Sequence, residues 1–188
     1  VPSTTLTPGP NTILVTASGA TFGFRRTLPC LLGILLGFPL MLVAVGWGLG
    51  ALFASHPAVH AALRWIGAAY LLFLAWRLAT AEASAAPDAR VRPLSFLQAA
   101  AFQWVNPKAW IMSVSAVTTF TTIDGDTRRE TLLIATVFAL VTLPAISAWT
   151  LFGVAIGRWL THKVPQRLFD GLLLAFAFVA ALRLVGAW

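Results

Sequence analysis

The chain has 188 residues, of which 59% are hydrophobic and 10% are charged, and its mean hydropathy is +0.84. An ordinary soluble domain carries about 25% charged residues, so this composition excludes a typical water-soluble enzyme or binding module. The net charge of +7 does not indicate a nucleic-acid binder, because the basic residues lie in short stretches between apolar runs.

Apolar segments recur along the chain, and most of them are long enough for a helix to cross the hydrocarbon core. They cover approximately residues 8–21, 28–54, 58–79, 93–122, 130–157 and 166–187. The first is short and polar at its start and the chain begins at Val1, so we expect part of the first span to be missing. The pattern predicts an all-α polytopic membrane protein with six transmembrane helices.

The chain divides near its middle, at a stretch rich in alanine and charge over about residues 81–92. We interpret this stretch as a linker inside a single transporter domain of residues 1–188, between halves at about 1–80 and 93–188. Similar basic sequences, Arg25–Leu28 and Arg128–Leu132, precede the second and fifth spans. Because each half has three spans, the second half is expected to be inverted relative to the first, as in many secondary transporters.

Basic residues are distributed unevenly between the loops. The loops after spans one, three and five hold eight of them: Arg25, Arg26, Arg77, Arg90, Arg92, Arg158, Lys163 and Arg167. The other loops and the C-terminus hold four: Arg64, Arg128, Arg129 and Arg183. Since cytoplasmic loops are enriched in lysine and arginine, this bias predicts that the first, third and fifth loops are cytoplasmic and both termini are outside.

Two motifs interrupt the helical pattern at corresponding places in the first and fourth spans. They are Thr7-Pro8-Gly9-Pro10-Asn11 and Gln103-Trp104-Val105-Asn106-Pro107-Lys108. Proline has no amide hydrogen, so Pro8, Pro10 and Pro107 are expected to leave the carbonyls of Thr4, Leu6 and Gln103 without helical donors. A helix that restarts at Pro10 or Pro107 points unpaired amides and its positive dipole end into the gap.

Irregular backbone at membrane depth is tolerated only where it faces protein or water, so the two breaks are expected to line a cavity. Freed carbonyls would accept an ammonium, and helix starts would accept a carboxylate, which together match a zwitterionic amino acid. The residues proposed to bind or conduct the substrate are Thr7, Pro8, Gly9, Pro10, Asn11, Gln103, Asn106, Pro107 and Lys108. The alternative is that both motifs are simple proline kinks, with Asn11 and Asn106 as helix caps.

Lys108 is a charged residue well inside the fourth predicted span. A lysine near the centre of a transmembrane helix costs about 2.5–3.5 kcal/mol on insertion scales, and it normally faces a cavity and has a function. All six acidic residues fall in predicted loops or at span ends, so none is a nearby partner. Snorkelling to the membrane surface is the alternative interpretation.

Glycines recur in the second span. Gly33 and Gly37 form a pair four residues apart, and Gly46, Gly48 and Gly50 follow. Small residues at this spacing let helix backbones approach closely in lipid, so we interpret them as packing positions.

The remaining reactive side chains do not indicate an enzyme. His56 and His60 are four residues apart, but Pro57 lies between them and no third metal ligand is near. Cys30 is the single cysteine, which excludes a disulfide within the chain and suits a packed apolar side chain. Because no serine nucleophile motif is present either, we predict no catalytic residues, no metal and no cofactor.

The two broken-helix motifs resemble those of the lysine exporter superfamily, specifically the homoserine and threonine exporters and their cysteine and O-acetylserine exporter relatives. The likeness covers almost the whole chain and extends to Gly23–Arg26, Trp65–Leu71 and Ala75-Trp76. It implies a multi-pass protein of the bacterial inner membrane that exports amino acids or close derivatives, driven by the proton gradient. Members carry a longer apolar segment before the first motif.

We therefore predict a secondary exporter whose partners are a small amino-acid-like substrate and the lipid bilayer, with no nucleic acid. A homo-oligomer is compatible with the sequence. The alternatives are a transporter of another small zwitterion or anion, and a membrane enzyme or assembly subunit.

Overall fold

The computed structural model describes residues 9–51, 93–122 and 125–163, together with residues 55, 56, 58, 59, 61, 62, 65, 66, 68–70, 72 and 73. All regular structure in these ranges is helical, so the predicted all-α class is confirmed. The linker, the sixth span, half of the third span and the site residues Thr7 and Pro8 lie outside them. The six-helix inverted repeat therefore stays a prediction.

Five α-helices make up most of the described chain. They are α1 (Pro10–Phe22), α2 (Phe24–Ala44), α3 (Phe96–Val105), α4 (Pro107–Phe120) and α5 (Thr127–Lys163), and a single π-helical turn (Val45–Leu49) extends α2. Two helical stretches in the described ranges are long and apolar enough to cross a bilayer, Phe24–Leu49 and Thr127–Trp159. Large apolar side chains cover the outside of the bundle, with Leu97 74% and Leu140 67% exposed, as expected for a surface that faces lipid.

The connection between α1 and α2 is shorter than the apolar pattern predicts. It consists of Gly23 alone, whose φ of 78° lies in the left-handed region that favours glycine. Arg25 and Arg26 consequently lie in the first turn of α2 rather than in a loop, although both remain exposed.

Helix α1 packs in parallel against α5 through small residues. A side chain on Gly153 would collide with the carbonyl of Thr16, and one on Gly157 would lie 2.5 Å from the carbonyl oxygen of Ala20. Because the contacting residue numbers increase by four in both helices, from Thr16 and Gly153 to Ala20 and Gly157, the two helices run in the same direction.

Helix α2 packs in the same manner against α3. A side chain on Gly33 would collide with the carbonyl of Phe96, and one on Gly37 would lie 2.7 Å from the Cα of Ala100. The predicted packing role of these two glycines is therefore correct. Gly48 does not share it, because no atom lies within 4 Å of an added Cβ and its φ is 124°; it instead permits the sharp bend in the π-helical turn.

Two buried apolar clusters fill the bundle. The inner cluster lies towards the Gly23 connection and consists of Leu14, Val15, Cys30, Leu31, Ile34, Leu94, Ala99, Phe102 and Ile146. The outer cluster lies towards the end of α4 and the start of α5 and consists of Phe38, Met41, Leu42, Val45, Ala109, Trp110, Ala116, Ala135 and Phe138. From the third predicted span, Tyr70 packs against Phe102, with ring centroids 5.5 Å apart and the rings tilted by 34°.

Candidate substrate site between two helix starts

The fourth predicted span is broken at Asn106. Helix α3 ends at Val105, Asn106 adopts an extended conformation, and α4 begins with Pro107 in its first turn. The side-chain oxygen of Asn106 accepts a hydrogen bond of 3.1 Å from the amide of Lys108. Asn106 therefore caps α4, as asparagine commonly does, and one amide at this helix start is already paired.

Two carbonyls at the break are also paired, and the prediction that the Gln103 carbonyl is left open is wrong. It accepts the amide of Asn106 at 3.3 Å, because the chain tightens into a shorter turn at the end of α3. The carbonyl of Trp104 accepts the indole Nε1 of Trp110 at 2.8 Å. Tryptophan thus replaces the Lys108 amide that a continuous helix would have supplied.

Helix α1 also begins with a proline. Gly9 precedes Pro10 in extended conformation, and its amide donates to the hydroxyl of Thr12 over 3.4 Å. Asn11 consequently lies inside the first turn, so Gly9 and not Asn11 occupies the capping position. This position leaves the amide side chain of Asn11 available for contacts outside its own helix.

A network of side-chain amides joins the two helix starts. The Nδ2 of Asn11 donates to the Oε1 of Gln103 at 2.8 Å, and the Nε2 of Gln103 donates back to the Oδ1 of Asn11 at 3.1 Å. Gln103 also donates to the carbonyl of Ala99 at 3.0 Å, and Asn106 donates to Asn11 at 3.5 Å. Since Gln103 and Asn106 are buried, the network holds the start of α1 against the α3–α4 break.

A cavity of about 60 Å³ lies beside this network. Its walls come from four helices and comprise Pro10, Asn11, Thr12, Ile34, Phe38, Asn106, Lys108, Ala109, Met112, Thr142 and Ile146. None of these described lining residues is acidic, and Lys108 is the charged one.

Lys108 lies half-buried in the first turn of α4 and reaches the start of α1. An added Cβ on Gly9 would lie 2.8 Å from its Nζ and 3.0 Å from its Cδ. The absence of a side chain at Gly9 therefore makes room for the lysine. Two helix starts and one ammonium converge on the cavity, an arrangement that suits an anionic group.

Of the predicted site residues, Pro10, Asn11, Asn106 and Lys108 line the cavity. Gly9, Gln103 and Pro107 support it, through the contact with Lys108, the amide network and the start of α4 respectively. Their role in binding stays a prediction.

Sequence reasoning missed the walls contributed by the continuous helices α2 and α5. These residues are Ile34, Phe38, Thr142 and Ile146. Two local signals were available, since Pro144 interrupts the hydrogen bonding of α5 near Thr142 and Pro39 interrupts that of α2 next to Phe38. Ile34 carries no such signal, because an apolar residue in an apolar helix can pack in many equivalent ways.

The other reactive side chains lie away from this site. Cys30 is fully buried in the inner cluster, in agreement with its predicted packing role. His56 is exposed and lies 2.9 Å from the hydroxyl of Ser55, while His60 lies outside the described residues. No group of three metal-ligating side chains occurs within the described ranges.

Residues 3–186 match the LysE type translocator family, which is nearly the whole chain. The chain belongs to this family. The resemblance that the two broken-helix motifs indicated is thereby confirmed, and no solved structure shows a significant match.

Several relatives of this LysE family member are named as efflux proteins. It is 32% identical over 177 residues to the cysteine/O-acetylserine efflux protein of Salmonella typhimurium, with 94% of this chain and 90% of the relative covered. The Salmonella choleraesuis protein of the same name matches equally well. The cysteine/O-acetylserine efflux protein of Escherichia coli K12 is 39% identical over 118 residues, which cover 62% of this chain and 60% of the relative. The LysE family member is therefore a membrane transport protein and not an enzyme.

Proposed function

We propose that this LysE family protein exports small neutral amino acids or their acylated derivatives across the bacterial inner membrane. The observation that carries the proposal is the cavity between two proline-initiated helices, which contains the Lys108 side chain and, among its described lining residues, no carboxylate. Because the described lining carries one positive side chain and no negative one, the cavity favours a substrate with a carboxylate and disfavours one with a net positive charge.

The two ends of a zwitterionic substrate have different partners in this proposal. Its carboxylate pairs with the ammonium of Lys108 near the start of α1. Its own ammonium bonds to neutral oxygens, for which the lining offers the Asn106 side chain and the hydroxyls of Thr12 and Thr142. Ile34, Phe38 and Met112 leave room for a short, mostly apolar side chain. The names of the relatives, which refer to cysteine and O-acetylserine, agree with such a substrate.

The proposed architecture is six transmembrane helices in two inverted repeats, with the site at the midplane. Helix packing supports it. In an inverted repeat of this kind, the pairing of the first helix with the fifth corresponds to the pairing of the fourth with the second. The α1–α5 pair and the α2–α3 pair are both parallel and both meet at glycines. The buried hydroxyls of Thr27 and Thr131, in the two similar basic motifs, also bond alike to the carbonyls four residues before them.

We propose the proton gradient as the energy source. The sequence contains no Gly-x-x-x-x-Gly-Lys phosphate-binding loop, so the chain itself offers no such site for ATP. An uncoupler that collapses the gradient should reduce efflux in cells supplied with glucose, where ATP is maintained. Unchanged efflux after the uncoupler would contradict proton coupling.

The substrate proposal is tested by efflux of radiolabelled amino acids from cells that express the protein and from matched cells that do not. Cysteine, O-acetylserine, serine, threonine and homoserine should leave faster from the expressing cells, whereas lysine and arginine should not. Preferential export of lysine would contradict the charge argument. Export of an anion that is not an amino acid, with no amino-acid efflux, would instead favour a transporter of other small anions.

A further inference from the structure

The side chain of Ser113 is buried without a hydrogen-bond partner. Its Oγ is the one buried side-chain nitrogen or oxygen in the described part of the chain that lacks one, and the residue is 0% exposed. Buried hydroxyls in native proteins nearly always have a partner, so each exception needs a physical explanation.

Other hydroxyls in the bundle show that a partner was available to Ser113. Thr118, Thr131 and Thr150 each donate to the carbonyl four residues earlier in their own helix. Serine in a helix commonly makes the same bond. Because Ser113 does not, its hydroxyl is directed away from the backbone of α4 and into the surrounding packing.

The packing around Ser113 is the outer cluster. Ala109 and Trp110 precede it by about one turn of α4 and Ala116 follows by one, and all three belong to that cluster. Ala109 and the neighbouring Met112 also line the cavity. Ser113 therefore lies on the same face of α4 as the cavity wall, one turn further towards the end of the helix.

The outer cluster separates the cavity from the end of the bundle where α5 begins. Phe38 lines the cavity and contacts Phe138 of α5, with ring centroids 5.6 Å apart. Beyond this pair, α2 loses its regular hydrogen bonding in the π-helical turn, and Gly48 has open space around it. Such turns are frequent at functional sites, and this one offers α2 a place to bend beside the cluster.

We propose that the outer cluster is a gate of the transporter and that Ser113 is a substrate-contacting residue within it. This inference rests on the proposed transport function. In the closed state Phe38 and Phe138 seal the cavity and the Ser113 hydroxyl has no partner. When α2 bends and the two rings separate, the hydroxyl hydrogen-bonds the polar groups of the substrate as it leaves the cavity. Because the Ser113 hydroxyl gains a hydrogen bond only in the open state, the open state of the gate is favoured while substrate passes.

The first test compares Ser113→Ala with Ser115→Ala, a control on the exposed side of the same helix. Ser113→Ala should leave the unfolding temperature unchanged or higher, because no hydrogen bond is lost. It should lower the maximal rate of cysteine efflux several-fold without raising the half-saturating concentration, since the cavity is intact. Ser115→Ala should change neither quantity. If Ser113→Ala retains the full efflux of the wild-type protein, the gate is overturned, but the proposed function still stands.

The second test asks whether the gate opens. In a Cys30→Ala background, which removes the single native thiol, Ser113→Cys should react with N-ethylmaleimide, which crosses membranes and modifies water-accessible thiols from either side. Labelling should increase when the cells are loaded with O-acetylserine, a substrate that has no thiol to react with the maleimide. Ser115→Cys should show no such increase. If the Ser113→Cys variant shows measurable efflux but is not labelled, the inference is overturned. If cells that express the wild-type protein show no efflux, the proposed function itself is overturned.

Discussion

Lys108 is the charged side chain that the described cavity walls present to the interior. A lysine at membrane depth costs about 2.5–3.5 kcal/mol on insertion scales, and a residue needed only for packing would avoid that cost. Gly9 leaves the space that the end of the lysine side chain occupies. We therefore propose that Lys108 recognises a negative charge rather than serving helix packing.

Removal of this charge should abolish transport without preventing membrane insertion. We expect Lys108→Gln to abolish efflux of neutral amino acids, and Lys108→Arg to restore it only in part, because the planar guanidinium is larger and bonds with different geometry. Arg129→Gln, at an exposed position, removes the same charge as a control. Efflux is compared at equal protein levels in the membrane. Full activity of Lys108→Gln would assign the lysine a purely structural role.

Asn11 and Gln103 should be energetically coupled, because each satisfies the side-chain amide of the other. Asn11→Ala and Gln103→Ala should each lower the free energy of unfolding in detergent by about 1 kcal/mol. The double variant should lose less than the sum, by about 0.5–2 kcal/mol. Asn11→Ala combined with Gln98→Ala, an exposed glutamine of the same helix α3, should be additive. Additivity in both pairs would contradict the network.

At the scale of elements, the break between α3 and α4 is stabilised locally. Asn106 caps α4, and the Trp110 indole bonds the Trp104 carbonyl across the gap. These bonds satisfy the Lys108 amide and the Trp104 carbonyl, which would have bonded each other in a continuous helix. The break is thus a defined structure that fixes where Lys108 points, rather than a flexible interruption.

Restoring a helix former at the break should separate stability from transport. Pro107→Ala supplies the missing amide hydrogen, so the unfolding temperature should stay the same or rise, while efflux falls as Lys108 is displaced. Pro29→Ala in α2, at an exposed position in the part of the helix nearest Gly23, should leave efflux unchanged. If Pro107→Ala lowers stability and spares transport in the folded fraction, the proline serves structure alone.

The close contact of α2 and α3 predicts intolerance to side chains at Gly37. Gly37→Val places atoms where Ala100 already lies, and should lower the free energy of unfolding by about 1–3 kcal/mol. The adjacent Leu36 is 56% exposed, so Leu36→Val should cost less than about 0.5 kcal/mol. Thermal unfolding of the purified proteins in detergent gives both values. Equal effects at the two positions would argue against tight packing of these helices.

At the scale of the whole molecule, the distribution of arginine and lysine predicts the orientation in the membrane. Alkaline phosphatase fused within residues 81–92 should be inactive, because that linker is expected in the cytoplasm. A fusion within residues 121–129, where α4 ends and α5 begins, should be active. The reverse result would invert the topology, and it would place the proposed outer gate on the cytoplasmic side.

Much of the candidate site could be predicted because it depends on local chemistry. Proline lacks an amide hydrogen wherever it lies, so the start of α1 and the interruption at Asn106 follow from the motifs themselves. The state of the freed carbonyls could not be predicted in this way. It depends on Trp110 and on the conformation of Asn106, and both come from packing that a one-dimensional pattern does not contain.

The sequence by itself determined the all-helical membrane class, the family and the positions of the broken helices, because apolar length, motif identity and proline act within a few residues of the chain. Only the tertiary structure decided which residues share the cavity. The pairing of Asn11 with Gln103 spans 92 positions, and Phe38 and Thr142 join them only through the register of packed helices. The same register buries the Ser113 hydroxyl without a partner and leaves Gly48 in open space. Contacts of this kind depend on the relative position of whole helices, which local residue chemistry does not set.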